Sequence, residues 1–243
     1  MRVETNEKLL RRNRKIAQYM FFASFGIPIL GLILINQQAA TPTSESVIVG
    51  FVIPLLVLPA AYIITMLSVR MANLWVRVPR PEVVIPEGLK GISSKSVFYS
   101  YYHLPTRHVL ITPQGVFAMV TRFQEGKFAV DGDKWMTRKS ALGRVFGVFR
   151  MDGIGSPTED AHKAARHLKK LLEPIAPDVP VQPVVVFVDT RAQVNVVKTD
   201  VPVVYANPKR DPSLKDYIRG LGKDNRLSLT PEQIEAFEEA TLP

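Results

Sequence analysis

No cysteine occurs among the 243 residues, so disulfides and thiolate metal sites are excluded. The four histidines, His103, His108, His162 and His167, include no pair at the i, i+4 spacing of a helical zinc site. Gly153-Ile154-Gly155 lacks the Gly-Lys-Ser/Thr ending of a phosphate-gripping P-loop. Asp131-Gly132-Asp133 is not followed by the further oxygen ligands of a calcium loop and reads as a turn before Trp135. No Ser-His-Asp or Cys-His arrangement has a recognisable signature, and there is no internal repeat. These absences point to no metal and no cofactor. The most informative absence is of charge: Tyr19–Ile35 and Val47–Val69 contain no charged residue.

These runs, of 17 and 23 residues, give about 26 and 35 Å of helix at about 1.5 Å per residue, enough to cross a hydrocarbon core of about 30 Å. The chain therefore reads as a basic tail (1–18), a membrane helix (19–35), an external loop (36–46), a second membrane helix (47–69), a proline-rich linker (70–86) and a domain (87–243). A signal peptide is the rival reading of the first run, with Ala39-Ala40 as a cleavage site, but a second span follows at once. A buried helical pair of a soluble protein is the other rival, and run length and lack of charge oppose it. Pro28, Pro54 and Pro59 are tolerated in membrane helices as kinks. Tyr19 and Trp75 suit the headgroup level.

Charge sets the orientation and bounds the partners. The tail carries Arg2, Lys8, Arg11, Arg12, Arg14 and Lys15 against Glu4 and Glu7, whereas the loop carries only Glu45. Arg70, Arg77 and Arg80 follow the second span. Basic residues flank the outer ends and avoid the loop, so both termini are expected in the cytoplasm, with the bilayer itself as a partner. Of the formal +9, the segment from Arg70 onward holds +6, which permits nucleic-acid or lipid contact without requiring either.

The domain reads as α/β. His108–Thr112, the turn Pro113-Gln114-Gly115, Val116–Thr121 and Lys127–Val130 predict a short antiparallel meander. Leu89–Tyr102 fits a short helix followed by a strand. Asp131–Gly143 reads as a polar excursion, and Val145–Phe149 as a further strand. Ser156-Pro157-Thr158-Glu159 predicts a helix opened by a capping box, with Ala161, Ala164, Ala165, Leu168, Leu171 and Leu172 on its apolar face and Pro174 and Pro177 ending it. Val184–Val188 predicts a buried central strand, and Val194–Val197 and Val201–Tyr205 shorter ones. Asp211-Pro212 and Thr230-Pro231-Glu232-Gln233 predict two final helices.

The run His108-Val109-Leu110-Ile111-Thr112-Pro113-Gln114-Gly115-Val116-Phe117, then Gly126-Lys127, Trp135, Ser156-Pro157, Pro183–Val188 and Val201–Val204, resembles in order the NERD domain, the nuclease-related domain. The resemblance covers roughly residues 87–240. It implies a restriction-endonuclease-like mixed sheet flanked by helices, of the PD-(D/E)xK group. It also implies an acidic residue just before His108, an acidic residue and a lysine at the end of the next strand, and a glutamine in the following helix. Such carboxylates would hold a divalent metal that activates water. Those positions are Arg107, Val120, Arg122 and Asp160 here. Valine offers no ligand and arginine repels the ion, so the resemblance implies a degenerate site and no standard nuclease chemistry.

Basic residues remain as candidates. Arg107, Arg122, Lys163, Arg166 and Lys170 are the expected nucleic-acid contacts, with His167, Lys169, Arg138, Lys139 and Arg144 nearby in sequence. Tyr99, Tyr101 and Tyr102 are read as core tyrosines or as a platform for stacked bases. Three functions are open: an inactive domain binding nucleic acid or another polyanion at the membrane, a protein-scaffolding module, and an active nuclease with a site rebuilt on Glu125, Asp131 and Asp133. The oligomeric state is not legible.

Overall fold

The computed structural model describes residues 1–39, 44–137, 153–221 and 228–242. The chain forms two units: Glu7–Val78, and Met1–Asn6 joined to the described residues from Pro79 onward. Arg138, Lys139, Arg144 and the strand expected at Val145–Phe149 lie outside the described residues.

The Glu7–Val78 unit is a pair of helices, α1 (Glu7–Ala39) and α2 (Ser44–Trp75). They run antiparallel, since Arg14 Nε donates to the Trp75 carbonyl at 3.0 Å while Gly31 lies against Val57. Both are long and apolar enough to cross a membrane. Tyr19, Phe22, Leu32, Leu55 and Leu58 are all exposed, as is unusual for a helical pair buried in a soluble core. Within the basic segment before Tyr19, the residues from Glu7 onward are the start of α1.

The other unit is built on a six-stranded mixed sheet in the order β1-β2-β3-β4-β7-β9. Its strands are β1 (Arg2–Thr5), β2 (Val97–Ser100), β3 (His108–Thr112), β4 (Gly115–Arg122), β7 (Val181–Phe187) and β9 (Val203–Tyr205). β2, β3 and β4 are antiparallel neighbours, whereas β4, β7 and β9 run parallel. The β3–β4 hairpin sets Thr112 opposite Gly115, and the strand expected at Val184–Val188 is β7, an inner strand between β4 and the edge strand β9 instead of a central one. β1 was not anticipated. It pairs in parallel with β2, Arg2 opposite Val97 and Thr5 opposite Ser100.

A second sheet, β6-β5-β8, branches from the first. It contains β5 (Gly126–Asp131), β6 (Lys134–Thr137) and β8 (Ala192–Lys198). The expected meander is thus corrected: β5 leaves β4 for another sheet, because Phe128, Trp135 and Val194 pack on Phe187 and Tyr205 across the branch. Trp135 belongs to strand β6, where a polar excursion was expected.

Helices cover both faces of the main sheet. On one face α4 (Pro157–Leu172) and α6 (Pro231–Thr241) bring Ala164, Leu168, Leu172 and Phe237 onto Tyr99, Val109, Ile111, Val116 and Ala118. On the other, α3 (Pro81–Gly88) and α5 (Leu214–Leu221) bring Ile85, Leu214 and Ile218 onto Phe98, Leu110, Phe117, Met119, Val184 and Val186. Alternate β4 residues therefore serve opposite cores, as a strand's period of two requires. Helix takes up most of the linker expected over 70–86: α2 runs on to Trp75, and α3 starts at Pro81, which sits in the first turn, where its missing N–H is harmless.

Capping follows sequence at one helix and departs from it at two. Thr230 and Gln233 form the reciprocal capping box of α6. Ser156 makes no side-chain cap on α4, and Glu159 pairs with Lys163 at 2.7 Å instead. At α5 the cap is Ser213, whose Oγ accepts from Asp216 N at 3.1 Å, and not Asp211.

Gly88 sits where α3 abuts the backbone just past β9. A Cβ there would overlap the Ala206 carbonyl oxygen, a backbone atom that cannot swing aside. Gly88→Ala is expected to destabilise this unit by about 1–3 kcal/mol through overpacking. Chemical denaturation followed by Trp135 fluorescence in a Trp75→Phe background measures it, and an unchanged midpoint would refute the close approach.

Candidate functional site

The site implied by the resemblance is assembled where β3 begins, where β4 ends and where α4 starts. β3 and β4 pair with His108 opposite Met119. One step further along that register sets Arg107 opposite Val120. Arg107 is half-buried, and its carbonyl accepts from Tyr101 N at 2.6 Å. Val120 is partly buried between the α4-side core and the cluster beneath the second sheet. Neither offers an oxygen ligand to a cation at these positions.

Arg122 closes the end of β4. Its Nε donates to the Ile154 carbonyl at 3.1 Å, one terminal nitrogen to the Thr121 carbonyl at 3.1 Å, and the other to Asp160 Oδ2 at 2.5 Å. The Arg122 side chain is only 12 % exposed, against 49 % for Asp160. Burial pushes the guanidinium pKa down and the Asp160 carboxylate pulls it back up. A buried cation is tolerated where such a partner and further acceptors surround it. The resemblance's lysine and glutamine positions are thus bonded to each other. Arg122 is turned to protein acceptors, in contrast with its expected place in a nucleic-acid surface.

Trp135 roofs the same corner. Its indole Nε1 donates to Thr158 Oγ1 at 2.8 Å, at the first turn of α4. Sequence reasoning identified Trp135 without identifying this partner, because the two meet only through the second sheet. Gln124, buried just past β4, was missed. Its Nε2 donates to the Gly153 carbonyl at 3.1 Å, and its Oε1 has no hydrogen-bond partner.

The carboxylates offered for a rebuilt site do not converge. Glu125 pairs with Arg191 at 2.5 Å, and Arg191 also grips the buried Asp189 through two side-chain bonds of 3.0 and 2.7 Å. Asp131 ends β5 and Asp133 lies in the turn to β6, both exposed on the second sheet. Among the described residues no three His, Asp or Glu side chains form a metal-sized group.

The cations of α4 divide by environment. Lys163, Arg166 and Lys170 are exposed, at the i, i+3, i+7 spacing of a single helical face. Lys163 is also paired with Glu159, which pulls the lysine pKa up and the glutamate pKa down. Lys169 is turned elsewhere, its ammonium donating to the carbonyls of Pro177 and Val179 at 2.5 and 2.9 Å, beyond the helix end. His162 Nε2 lies 2.9 Å from Asp200 Oδ2. Thr106 Oγ1 donates to the Ala164 carbonyl at 2.8 Å, which fixes the loop carrying Arg107 against this helix. Tyr99 is fully buried and Tyr101 nearly so, which excludes both as stacking platforms for bases.

No curated protein and no solved structure matches this chain. The family model of the nuclease-related domain does match, over residues 89–188. That interval runs from the end of α3 through β7 and contains Arg107, Val120, Arg122 and Asp160. The chain carries a nuclease-related domain with a mixed sheet flanked by helices.

Proposed function

We propose that this protein holds a non-catalytic nuclease-related domain at the cytoplasmic face of a membrane, where the exposed cations of α4 bind nucleic acid. One observation carries the reading: the Arg122–Asp160 ion pair fills the positions that the resemblance gives to a lysine and a glutamine, and Arg107 and Val120 stand where it asks for the metal-binding carboxylates. A site so occupied has no anionic cradle for Mg²⁺. Lys163, Arg166 and Lys170 supply the electrostatic footprint for a phosphate backbone.

Two observations support the membrane anchor. The apolar helices α1 and α2 suffice for two crossings, and their large apolar side chains are exposed. β1 precedes the first helix yet belongs to the same sheet as the chain that follows the second, which agrees with both ends of a hairpin emerging on one side. The basic residues flanking the apolar runs, Lys8 to Lys15 at the start of α1 and Arg70, Arg77 and Arg80 around the end of α2, support a cytoplasmic location for that side.

The test uses the full chain in phosphatidylcholine nanodiscs, titrated with labelled single- and double-stranded DNA at low and near-physiological salt with Mg²⁺ present. Binding that weakens steeply with salt and leaves the DNA intact is expected. Replacing Lys163, Arg166 and Lys170 together by Gln should lower affinity at least tenfold and flatten the salt slope by about 0.9 for each phosphate no longer neutralised. Metal-dependent cleavage would overturn the non-catalytic reading. No binding at low salt would discard the nucleic-acid partner and leave protein scaffolding.

A further inference from the structure

A second group of cations lies on the opposite face of the sheet from α4. Lys215 and Arg219 are one turn apart on α5 and both reach the loop between α3 and β2. Lys215 Nζ donates to the Lys90 carbonyl at 2.5 Å, and an Arg219 terminal nitrogen donates to the Gly91 carbonyl at 3.3 Å. Gly91 adopts φ +83°, in the left-handed region, and is exposed. A Cβ on it would sit 3.6 Å from the Lys215 ammonium and 3.9 Å from the Arg219 guanidinium. The missing side chain leaves one point open to two cationic heads. Lys90 and Lys95, also exposed, flank it on the loop.

None of these four residues is ion-paired with a carboxylate among the described residues. This contrasts with Lys163, Arg122 and Arg191, each of which has an acidic partner. The two carbonyls engage one donor each of Lys215 and Arg219, and an ammonium has three donors and a guanidinium five. The remaining donors, with four positive charges in one loop and one helical turn, match a multiply charged oxyanion better than a single carboxylate.

The place in the fold bears on the source of that anion. The loop precedes β2 at the level of Arg2, whose N–H donates to the Ser96 carbonyl at 2.8 Å. The chain leaves for α1 from Asn6, past the other end of β1, and the start of α3 lies at that same end, where Glu82 accepts from the Tyr101 hydroxyl at 3.0 Å. The cluster is therefore separated from that junction by the length of β1, about 13 Å at about 3.3 Å per residue.

We propose that Lys90, Lys95, Lys215 and Arg219 form a metal-independent site for a soluble phosphate ester or polyphosphate, distinct from the α4 face.

The experiment titrates inorganic pyrophosphate into the full chain in phosphatidylcholine nanodiscs at low salt, by calorimetry and by ³¹P line broadening, with EDTA present. Saturable binding is expected, weakened at least tenfold in Lys215→Gln/Arg219→Gln and unchanged in Lys127→Gln/Lys134→Gln, two exposed lysines of the second sheet, with Lys163→Gln/Arg166→Gln titrated alongside as the α4 variant. Should the α5 variant lose native Trp135 fluorescence, Lys90→Gln/Lys95→Gln replaces it; these exposed side chains can be neutralised with little effect on packing, and a loss of at least threefold is expected. No saturable binding by the unaltered chain, or binding insensitive to the α5 and loop variants, would overturn the site. Sedimentation with vesicles containing phosphatidic acid separates the sources: vesicle capture through these residues without pyrophosphate binding would overturn the soluble ligand. Loss of pyrophosphate binding only in the α4 variant would assign the phosphate to the proposed nucleic-acid face. Failure of the DNA test with pyrophosphate binding intact would leave this site standing alone.

Discussion

Deleting Arg2–Thr5 is expected to destabilise the nuclease-related domain by on the order of 3 kcal/mol or more, a loss within reach of its total stability. These residues precede α1, yet they complete the edge of the main sheet. Arg2 N–H donates to the Ser96 carbonyl at 2.8 Å and Asn6 N–H to the Ser100 carbonyl at 3.0 Å. Met1 packs against the core on the α3 and α5 side. The Arg2 guanidinium pairs with Glu238 on α6, and the same carboxylate oxygen accepts from the Tyr99 hydroxyl at 2.5 Å. Burial first, then the Glu238 carboxylate, pushes the Tyr99 pKa up. Removing Arg2 takes one partly exposed ion pair, worth up to about 1 kcal/mol, and leaves Glu238 to the tyrosine alone. Removing the strand also takes the ladder and opens the β2 edge to other chains. The measurement is the denaturation midpoint from Trp135 fluorescence, with hydrogen exchange of the β2 amides. Arg2→Met should reproduce the smaller part, and the isolated fragment 81–243 should show the whole loss together with self-association. A deletion with wild-type midpoint and protected β2 amides would show that β1 is dispensable.

β1 also shows where sequence reasoning stops. Arg-Val-Glu-Thr, with charges alternating at a chain end, reads as a tail, and its partner Val97–Ser100 lies beyond both apolar helices. No local period can announce such a pairing. What was legible carried its own signal: the Pro113-Gln114-Gly115 turn between two apolar runs, the β-branched run Val184–Val186, the alanine and leucine stripe of α4, and the Thr230–Gln233 box. The departure of β5 was illegible because Lys127–Val130 has strand character in either sheet, and the packing of Phe128, Trp135 and Val194 on Phe187 and Tyr205 decides between them. For the candidate site, the positions Arg107, Val120, Arg122 and Asp160 could be named one by one by resemblance. The bond joining Arg122 to Asp160 spans 38 positions and depends on how β4 points at the first turn of α4. At the positions that the resemblance gives to a lysine and a glutamine, the buried Arg122 thus has in Asp160 the acidic partner that compensates its charge.

Acidification from pH 7 to 5 is expected to weaken the same domain steeply, because two of its histidines are folded into places that admit only the neutral ring. His108 is fully buried on β3, stacked on Phe98 at 5.9 Å between centroids, with Nδ1 3.2 Å from Ser100 Oγ. Burial, with a smaller contribution from Arg107, lowers its pKa from 6.5 to about 3. His103 stacks on Phe237 of α6 at 4.7 Å and meets Thr241 Oγ1 through Nε2 at 3.0 Å, while its Nδ1 has no partner. Burial, then the neighbouring His167, lowers its pKa from 6.5 to about 4. The sign follows from proton counting. Below pH 6.5 the unfolded chain binds a proton at each ring and the folded chain does not, so stability falls as pH falls. The loss proceeds until the folded value is passed, near 4 for His103 and near 3 for His108. Each ring contributes a slope approaching about 1.4 kcal/mol per pH unit, and the pair about twice that. Glu159 and Glu232, whose pKa values are lowered from 4.5, act only below this window, so pH 5 to 6.5 isolates the histidines. Denaturation midpoints of the Trp75→Phe chain across that range give the slope. His108→Asn should remove about half of it whatever it does to stability at pH 7, because an amide cannot take up the proton. His103→Asn should remove most of the rest and, by loosening the Thr241 contact, speed hydrogen exchange in α6. A slope equal to that of the unaltered chain in both variants would refute the assignment and move the acid sensitivity to other groups.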